Sequence, residues 1–452
     1  MKGPFVNTPA ASRGIPSAPS QKTSESQPTR PTSAIRIFLV SGVGTALEFY
    51  DFLIYGLAAA LVFGTVFFPS EDPLVGILLG FASFGTGFLA RPLGGIVIGH
   101  FGDRIGRRKM LVLTLLVMGA CTFAIGCLPT FETLGPMAAV LLVVLRLVQG
   151  FAAGGEWGGA ALYGIEAAPR GRRGLWGSFT SMGIGLGSLL GVAVFSAVSA
   201  AFGGELAEFG WRIPFWIGGV VVIVGLVARY MVMEPDTGAR SHSAPRLPLL
   251  EAIRVRPRAL LLSMGVSYGY NTLAYVGFTF LLSYVTQFGF EQTQSLLAQL
   301  LYCFVLFIVA PLAALASDRL GRRPVMIVGA LAGAGTLFLF FAVVQEKNAA
   351  ALLLGFAIVG LATALTQGPI PAFLAEQFPA RIRYTGVSTA YQIGAAIGGG
   401  TAAFVSTALL IAFDGNPFAV AVFGGAAMLI VALCSRGLRE TSRETLAEID
   451  AK

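Results

Sequence analysis

Glu48 and Asp51 stand three residues apart in a stretch, 37–63, that is otherwise almost wholly apolar. On a helix this spacing puts both carboxylates on one face, and Tyr55, seven residues from Glu48, continues it. Three more ionisable side chains interrupt apolar runs: Arg91 in 74–100, and Arg146 and Glu156 in 137–166, with Gln149 one turn beyond Arg146. A charge at the bilayer centre costs ~2.5–3.5 kcal/mol on insertion scales, so such groups face a polar cavity or one another. Neighbouring carboxylates in low dielectric resist double ionisation, which suits one of them to taking up and releasing a proton. Arg91 and Glu156 lie about nine and ten residues from one end of their runs, ~14 Å deep at 1.5 Å per residue, and are expected to pair. The plainer alternative is that these charges only hold helices together.

The elements that must position these groups are transmembrane helices. The chain has 452 residues, 55% hydrophobic and 12% charged, against about 25% charged in soluble domains, which excludes an ordinary soluble protein. Its apolar runs lack the alternation of a membrane barrel, which leaves α-helices. Twelve runs bounded by charge, Pro or Gly fall at 37–63, 74–100, 110–128, 137–166, 175–201, 213–233, 259–286, 294–317, 324–344, 349–375, 386–412 and 417–436. Of 31 Lys and Arg, 27 fall in the tails, on one set of alternating loops or, for Arg229 and Arg436, at the run ends that border them. The opposite loops hold Arg212 and Lys347, so both termini are expected in the cytoplasm of a bacterial inner (plasma) membrane protein. The net charge of +8 then reflects topology, not nucleic-acid binding. The expected organisation is a disordered cytoplasmic tail at 1–34, six helices within 35–233, a cytoplasmic loop at 234–258, six helices within 259–436 and a cytoplasmic tail at 437–452. The first segment is rich in Pro, Ser and Thr without an apolar core, so it does not read as a signal peptide. Cys121, Cys127, Cys303 and Cys434 lack metal-ligand spacing, and His100 and His242 are the sole histidines, so no cofactor or metal is expected.

The two sets of six repeat. Gly102-Asp-Arg-Ile-Gly-Arg-Arg108 follows the second run and Ser317-Asp-Arg-Leu-Gly-Arg-Arg323 the eighth, an offset of 215 residues. Each puts a carboxylate beside a helix end among basic residues, so Asp103, Arg104, Arg107 and Arg108, and Asp318, Arg319, Arg322 and Arg323, are the candidates for a breakable cytoplasmic latch. Basic residues that merely anchor the topology are the simpler alternative. Glycines four apart in the fourth, fifth and eleventh runs (Gly150, Gly154, Gly158; Gly183, Gly187, Gly191; Gly394, Gly398) predict close helix packing.

The paired loop motif and Arg146-Leu-Val-Gln-Gly150 resemble signatures of the major facilitator superfamily. Gly44-Thr-Ala-Leu-Glu-Phe-Tyr-Asp-Phe52, Ala90-Arg-Pro-Leu-Gly-Gly95, Gly154-Gly-Glu-Trp-Gly-Gly-Ala160 and Gly210-Trp-Arg-Ile-Pro-Phe215 are similar to its metabolite:proton symporter family, permeases for shikimate, α-ketoglutarate, citrate, and proline or betaine. The resemblance covers about 37–436. It implies the all-α major facilitator fold, twelve transmembrane helices in two six-helix pseudo-repeats, and proton-coupled import of a small polar metabolite by a functional monomer in contact with lipid. It also places Arg146 toward the carboxylates of the first helix. Neutral donors and aromatics of the second half (Tyr268, Asn271, Tyr275, Tyr302, Gln367, Tyr391, Gln392) would then orient the substrate's body. Gly154–Ala160 with Glu166-Ala-Ala-Pro169 looks more like the shikimate type than the α-ketoglutarate type. The absence of a heptad repeat in 437–452 weighs against osmotic regulation. A proton-antiport exporter and a ligand-sensing transceptor are the other readings; an enzyme is not expected, since no nucleophile and base stand at telling spacing.

Overall fold

The computed structural model describes residues 1, 3, 34–105, 107–154, 156–232 and 248–451, with backbone alone at 36, 40, 99, 100, 102–105, 107–109, 111, 156, 224, 227–232 and 248. The expected tail at 1–34, apart from Met1, Gly3 and Ala34, lies outside the described residues, as does 234–247 of the expected central loop.

Twelve helices carry the fold: α1 Val43–Leu61, α2 Pro73–Ile105, α3 Arg107–Gly126, α4 Pro136–Glu166 with a turn at Gly154, α5 Arg173–Phe202, α6 Arg212–Val232, α7, α8 Gln292–Leu320, α9 Arg322–Val344, α10 Ala349–Ala375 with a turn at Gly368, α11 Ala380–Ala412 and α12 Phe418–Gly437. The seventh, α7, runs as Pro257–Tyr275, widens into a π-helical stretch Val276–Phe280 and closes as Leu281–Gln287. Among the described residues nine of these are long and apolar enough to cross a membrane, and no strand occurs. Of the remaining three, α3 and α6 have continuously described side chains only over Val112–Gly126 and Arg212–Ile223, and α7 carries Ser263, Ser267, Asn271 and Thr272 on buried positions. Helix starts and stops follow local chemistry. Pro73, Pro136 and Pro257 open helices where a missing N–H is harmless. Gly321 at φ 108° ends α8 in a conformation that a β-carbon disfavours.

Burial sets α1 apart: 89% of its apolar stretch is buried against 39% for α8, so α1 is central while α8 leaves one side exposed. Leu93, Val220, Leu261, Leu312 and Leu433 are among the exposed apolar side chains that clothe the outside. The glycine rows do what their spacing predicts. A β-carbon on Gly150 would stand 1.9 Å from the Gly87 carbonyl of α2, one on Gly187 2.1 Å from Ala46 O of α1, and one on Gly398 2.2 Å from Tyr268 O of α7. These contacts fix the rotation of α4, α5 and α11 about their own axes.

Two segments expected to be irregular are ordered. Pro248–Val255 is a helix, because it has a buried apolar side at Ala252 and Glu251 reaches Arg381 of α11 at 3.1 Å. The last described residues also fold back. Leu446–Asp450 forms a short helix with a Thr445/Glu448 capping box. Asp450 accepts the Ala380 N–H at 2.8 Å and the Arg383 guanidinium, at the start of α11.

Candidate functional site

The six sequence candidates Glu48, Asp51, Tyr55, Arg91, Arg146 and Gln149 are all buried, each at most 1% exposed, within the first six helices. Arg91 donates Nη2 to Glu48 Oε1 at 2.9 Å, an ion pair between α2 and α1. The expected partner, Glu156, has no described side chain. Arg146 faces α1 as expected, but through rings: its guanidinium carbon lies 4.1 Å from the Phe52 centroid and 4.3 Å from that of Tyr55. Arg91 lies 3.9 Å from the same Phe52 ring, so one aromatic serves both cations.

Among the described residues no carboxylate lies within ion-pair distance of Arg146. Its link to Asp51 is indirect. Arg146 Nη1 donates to Gln149 Oε1 at 2.6 Å, Gln149 Nε2 donates to Thr122 Oγ1 at 2.8 Å, and Thr122 Oγ1 donates to Asp51 Oδ2 at 2.8 Å. Three buried atoms of the cluster have no hydrogen-bond partner among the described residues: Arg146 Nη2, Arg91 Nε and Asp51 Oδ1. Unpartnered buried polar groups cost about 1–3 kcal/mol each, so they mark where a further ligand or proton would be accepted. Tyr55 shares a 2.9 Å hydrogen bond with Ser83 of α2.

Of the neutral set in the second half, Tyr275 alone lines the central space. That space is a narrow gap bounded by Phe49, Phe52, Leu53, Phe84, Ser188, Tyr275, Phe278 and Thr279. The π-helical stretch of α7 supplies Phe278 and Thr279 to it, and such bulges concentrate at functional sites. The others are engaged by protein. Tyr391 stacks on Trp157, Gln392 donates to Gly154 O at 2.9 Å, and Gln367 exchanges hydrogen bonds of 3.1 and 2.8 Å with Ser181. Asn271 donates to Ser267 O at 2.8 Å, Tyr302 donates to Ala274 O at 3.3 Å, and Tyr268 is half-buried beside Gly398. The first three of these contacts differ in kind from the rest: Tyr391, Gln392 and Gln367 bridge the two sets of six helices, while Asn271 and Tyr302 stay within the second.

The second copy of the loop motif ties several helix ends together. Asp318 accepts N–H bonds from Gly174 at 2.8 Å and Leu175 at 2.9 Å, at the start of α5, and pairs with Arg322 at 2.8 Å. Arg322 also reaches Glu376 at 3.2 Å, and Glu376 takes Arg173 at 3.0 Å and the Thr441 hydroxyl at 2.6 Å. Arg173 spans to the carbonyls of Thr441 and Glu444 at 3.0 and 2.6 Å. Arg323 binds Glu440 through its backbone N–H at 2.9 Å, and Arg319 is exposed. In the first copy, the side chains of Asp103, Arg104, Arg107 and Arg108 lie outside the described residues. At the other end of α5 and α8, Gln292 donates to Ser199 at 2.9 Å, so the two sets of helices touch at both ends and the centre is occluded.

Sequence reasoning missed Phe52, Thr122, Trp157, Arg173, Glu376 and Thr441. One signal was available: Glu166 and Arg173 stand seven apart, as do Glu376 and Arg383, and the second pair repeats the first at an offset of 210. Thr122 carries no such mark, because a threonine in an apolar run is unremarkable until a partner faces it.

The geometry can be set beside known proteins. The family profile described as Major Facilitator Superfamily matches residues 43–313, and one described as Sugar (and other) transporter matches 235–452. The chain is 37% identical to the shikimate transporter of Escherichia coli (strain K12) over 418 residues, 91% of this chain and 95% of that one. It is 32% identical to the proline/betaine transporter of Salmonella typhimurium over 79% of this chain and 74% of that one. A crystal structure of a D-xylose-proton symporter superposes with a TM-score of 0.72 at 21% identity, over 92% of this chain and all of that one.

Proposed function

The chain belongs to the major facilitator superfamily, as a membrane-spanning transporter and not an enzyme, and from that premise we propose that it is a proton symporter importing a small carboxylate-bearing metabolite. The observation that carries this reading is the unequal fate of the two buried arginines. Arg91 is neutralised by Glu48, whereas among the described residues Arg146 has a donor, Nη2, without a partner and is linked to Asp51 through Gln149 and Thr122. An arginine fork so placed is suited to a substrate carboxylate, and Asp51, with an unpartnered oxygen, to a proton. Substrate anion and proton then enter together, so their charges offset in the low-dielectric centre. The identity to a shikimate transporter supports a cyclic or hydroxylated organic acid as the cargo. The proline/betaine relative supports a second reading, since those osmolytes also carry a carboxylate for Arg146.

Alternating access follows from the two closures. Release toward the cytoplasm requires the Asp318–Arg322–Glu376–Arg173 latch to part, and loading from the other side requires Gln292 and Ser199 to separate. The bias of 27 of 31 basic residues supports a cytoplasmic position for the latch and both termini, in a bacterial inner membrane. With one proton per monoanion no net charge crosses, so the pH difference is the drive: one unit supplies ~1.4 kcal/mol, enough for a roughly tenfold gradient.

The test is uptake by proteoliposomes under an imposed pH gradient, across labelled shikimate, α-ketoglutarate, citrate, proline and betaine. Concentrative uptake of a carboxylate-bearing compound, collapsed by a protonophore, is the expected result. Concentrative uptake indifferent to the protonophore would sink the proton-coupled reading.

A further inference from the structure

Between Asp51 and Arg146 stands a single hydroxyl, that of Thr122 on α3, and its one proton has two acceptors. Asp51 Oδ2 lies at 2.8 Å and the Met118 carbonyl, one turn back, at 3.0 Å. On its far side the same oxygen accepts from Gln149 Nε2, whose amide is held in register by Arg146. We propose that Thr122 couples the proton on Asp51 to the substrate-facing guanidinium of Arg146, as a hydroxyl rotor with two positions. This rests on the reading of Asp51 as proton carrier.

The two positions follow from donor and acceptor counts. A hydroxyl has one proton and two lone pairs, an ionised carboxylate accepts only, and a guanidinium donates only. Because Arg146 cannot accept, Gln149 must turn its carbonyl to Arg146 and its N–H to Thr122 in both states. With Asp51 ionised, Thr122 donates to it. With a proton on Oδ2, Asp51 becomes the donor, the Thr122 oxygen accepts from Asp51 and Gln149 together, and its own proton swings to the Met118 carbonyl. Every link from Asp51 Oδ2 through Thr122 and Gln149 to Arg146 Nη1 is kept in both states, and the only proton gained is the one Asp51 took up.

The consequence at Arg146 has the sign that symport needs. Hydrogen-bond chains polarise along their length, so a negative charge at the Asp51 end partly satisfies the guanidinium at the other. Once Asp51 is protonated that charge is gone, and the free Nη2 attracts an incoming carboxylate more strongly. The ionisable groups facing Asp51 are Glu48 and Tyr50 of α1, Cys121 of α3 and Arg146 of α4. Among the described residues α6 offers backbone here: a β-carbon on Gly218 would sit 3.1 Å from Asp51 Oδ1, and the Tyr50 hydroxyl is committed to Pro214 O at 3.0 Å. Thr122 is thus the route by which a change at Asp51 reaches α4.

The test compares Thr122→Val, which keeps the shape and removes the hydroxyl, with Thr122→Ser, which keeps the hydroxyl. In proteoliposomes, Thr122→Val should lower pH-driven accumulation about tenfold while counterflow exchange persists, and the pH of half-maximal uptake should rise by about one unit. A hydrogen bond to a charged group is worth about a decade in equilibrium, and its loss lets the carboxyl hold its proton to higher pH. Thr122→Ser should restore both. If Thr122→Val does not fold, Thr122→Cys, a weaker donor, must shift the profile in the same direction. A wild-type pH profile in the hydroxyl-free variant, or a Ser variant that behaves like Val, overturns the rotor. Asp51→Asn separates the two levels: if it still concentrates substrate, the proton-carrier reading itself has failed, whereas loss of uphill uptake there with an unshifted Thr122→Val removes only the rotor.

Discussion

Trp157 of α4 lies flat against Tyr391 of α11, with ring centroids 3.4 Å apart and planes 7° from parallel. The stack crosses between the two sets of six helices, and Gln392 adds its bond to Gly154 O beside it. Any opening of this side must part the rings before the central gap gains width. An aromatic pair adds about 0.5–1.5 kcal/mol beyond burial, so it biases the occluded state without locking it.

Trp157→Ala should therefore raise the open population roughly two- to tenfold. The readout is alkylation of a cysteine placed at Ser388, half-buried on α11 one turn from Gln392, in a background without the native cysteines. Labelling no faster than in the parent would mean that the stack does not oppose opening.

Removing one member of the Arg91–Glu48 pair takes away a buried charge's partner, with a cost of about 3–5 kcal/mol. Arg91→Ala should lower the thermal midpoint more than the double change Arg91→Met with Glu48→Leu, which removes both charges of the pair. A double variant less stable than the single one would show that the pair is not an isolated unit.

Latch residues outside the central site should govern rate and not affinity. Asp318→Asn can no longer accept both N–H bonds from the start of α5, and Arg173→Ala removes the bridge from α5 to Glu376, Thr441 and Glu444. Each should slow transport several-fold while equilibrium substrate binding stays within about threefold of the parent, since the coupling runs through a conformational step. Abolished binding in folded protein would place these residues in the substrate site instead.

Glu440 ties the C-terminal segment to the fold in a pH-dependent way. Burial alone would raise its carboxyl, but backbone N–H groups of Arg322, Arg323 and Ser442 outweigh that and hold it below the ordinary carboxylate value. A depressed folded value stabilises the ionised form, so the contribution is complete above about pH 4.5 and fades as pH falls through Glu440's own lower value. Glu440→Gln should thus destabilise at neutral pH by roughly 1 kcal/mol, as loss of a helix cap does. The gap between variant and parent melting should close in acid; a gap that widens there would refute the assignment.

Much of this protein was legible along the chain because the properties concerned are local. Twelve apolar runs, the skew of basic residues and the glycine rows are each read within one segment, and lipid leaves a long apolar run little choice but a helix. The repeated Asp-Arg…Gly-Arg-Arg motif singled out Asp318 and Arg322 before any neighbour was known. Which buried charge meets which is a different matter. Depth along a helix could be counted for Arg91, but its partner is chosen by the angle at which α1, α2 and α4 present their faces, and that angle is set by contacts such as Gly150 on Gly87 and Gly187 on Ala46, between residues far apart in sequence. So Arg91 came to Glu48, and Arg146 came to Asp51 only by way of Gln149 and Thr122. A threonine hydroxyl has no signature of its own; what makes Thr122 consequential is that packing brings a carboxylate, a carbonyl and an amide to one oxygen, and only the tertiary structure decides that.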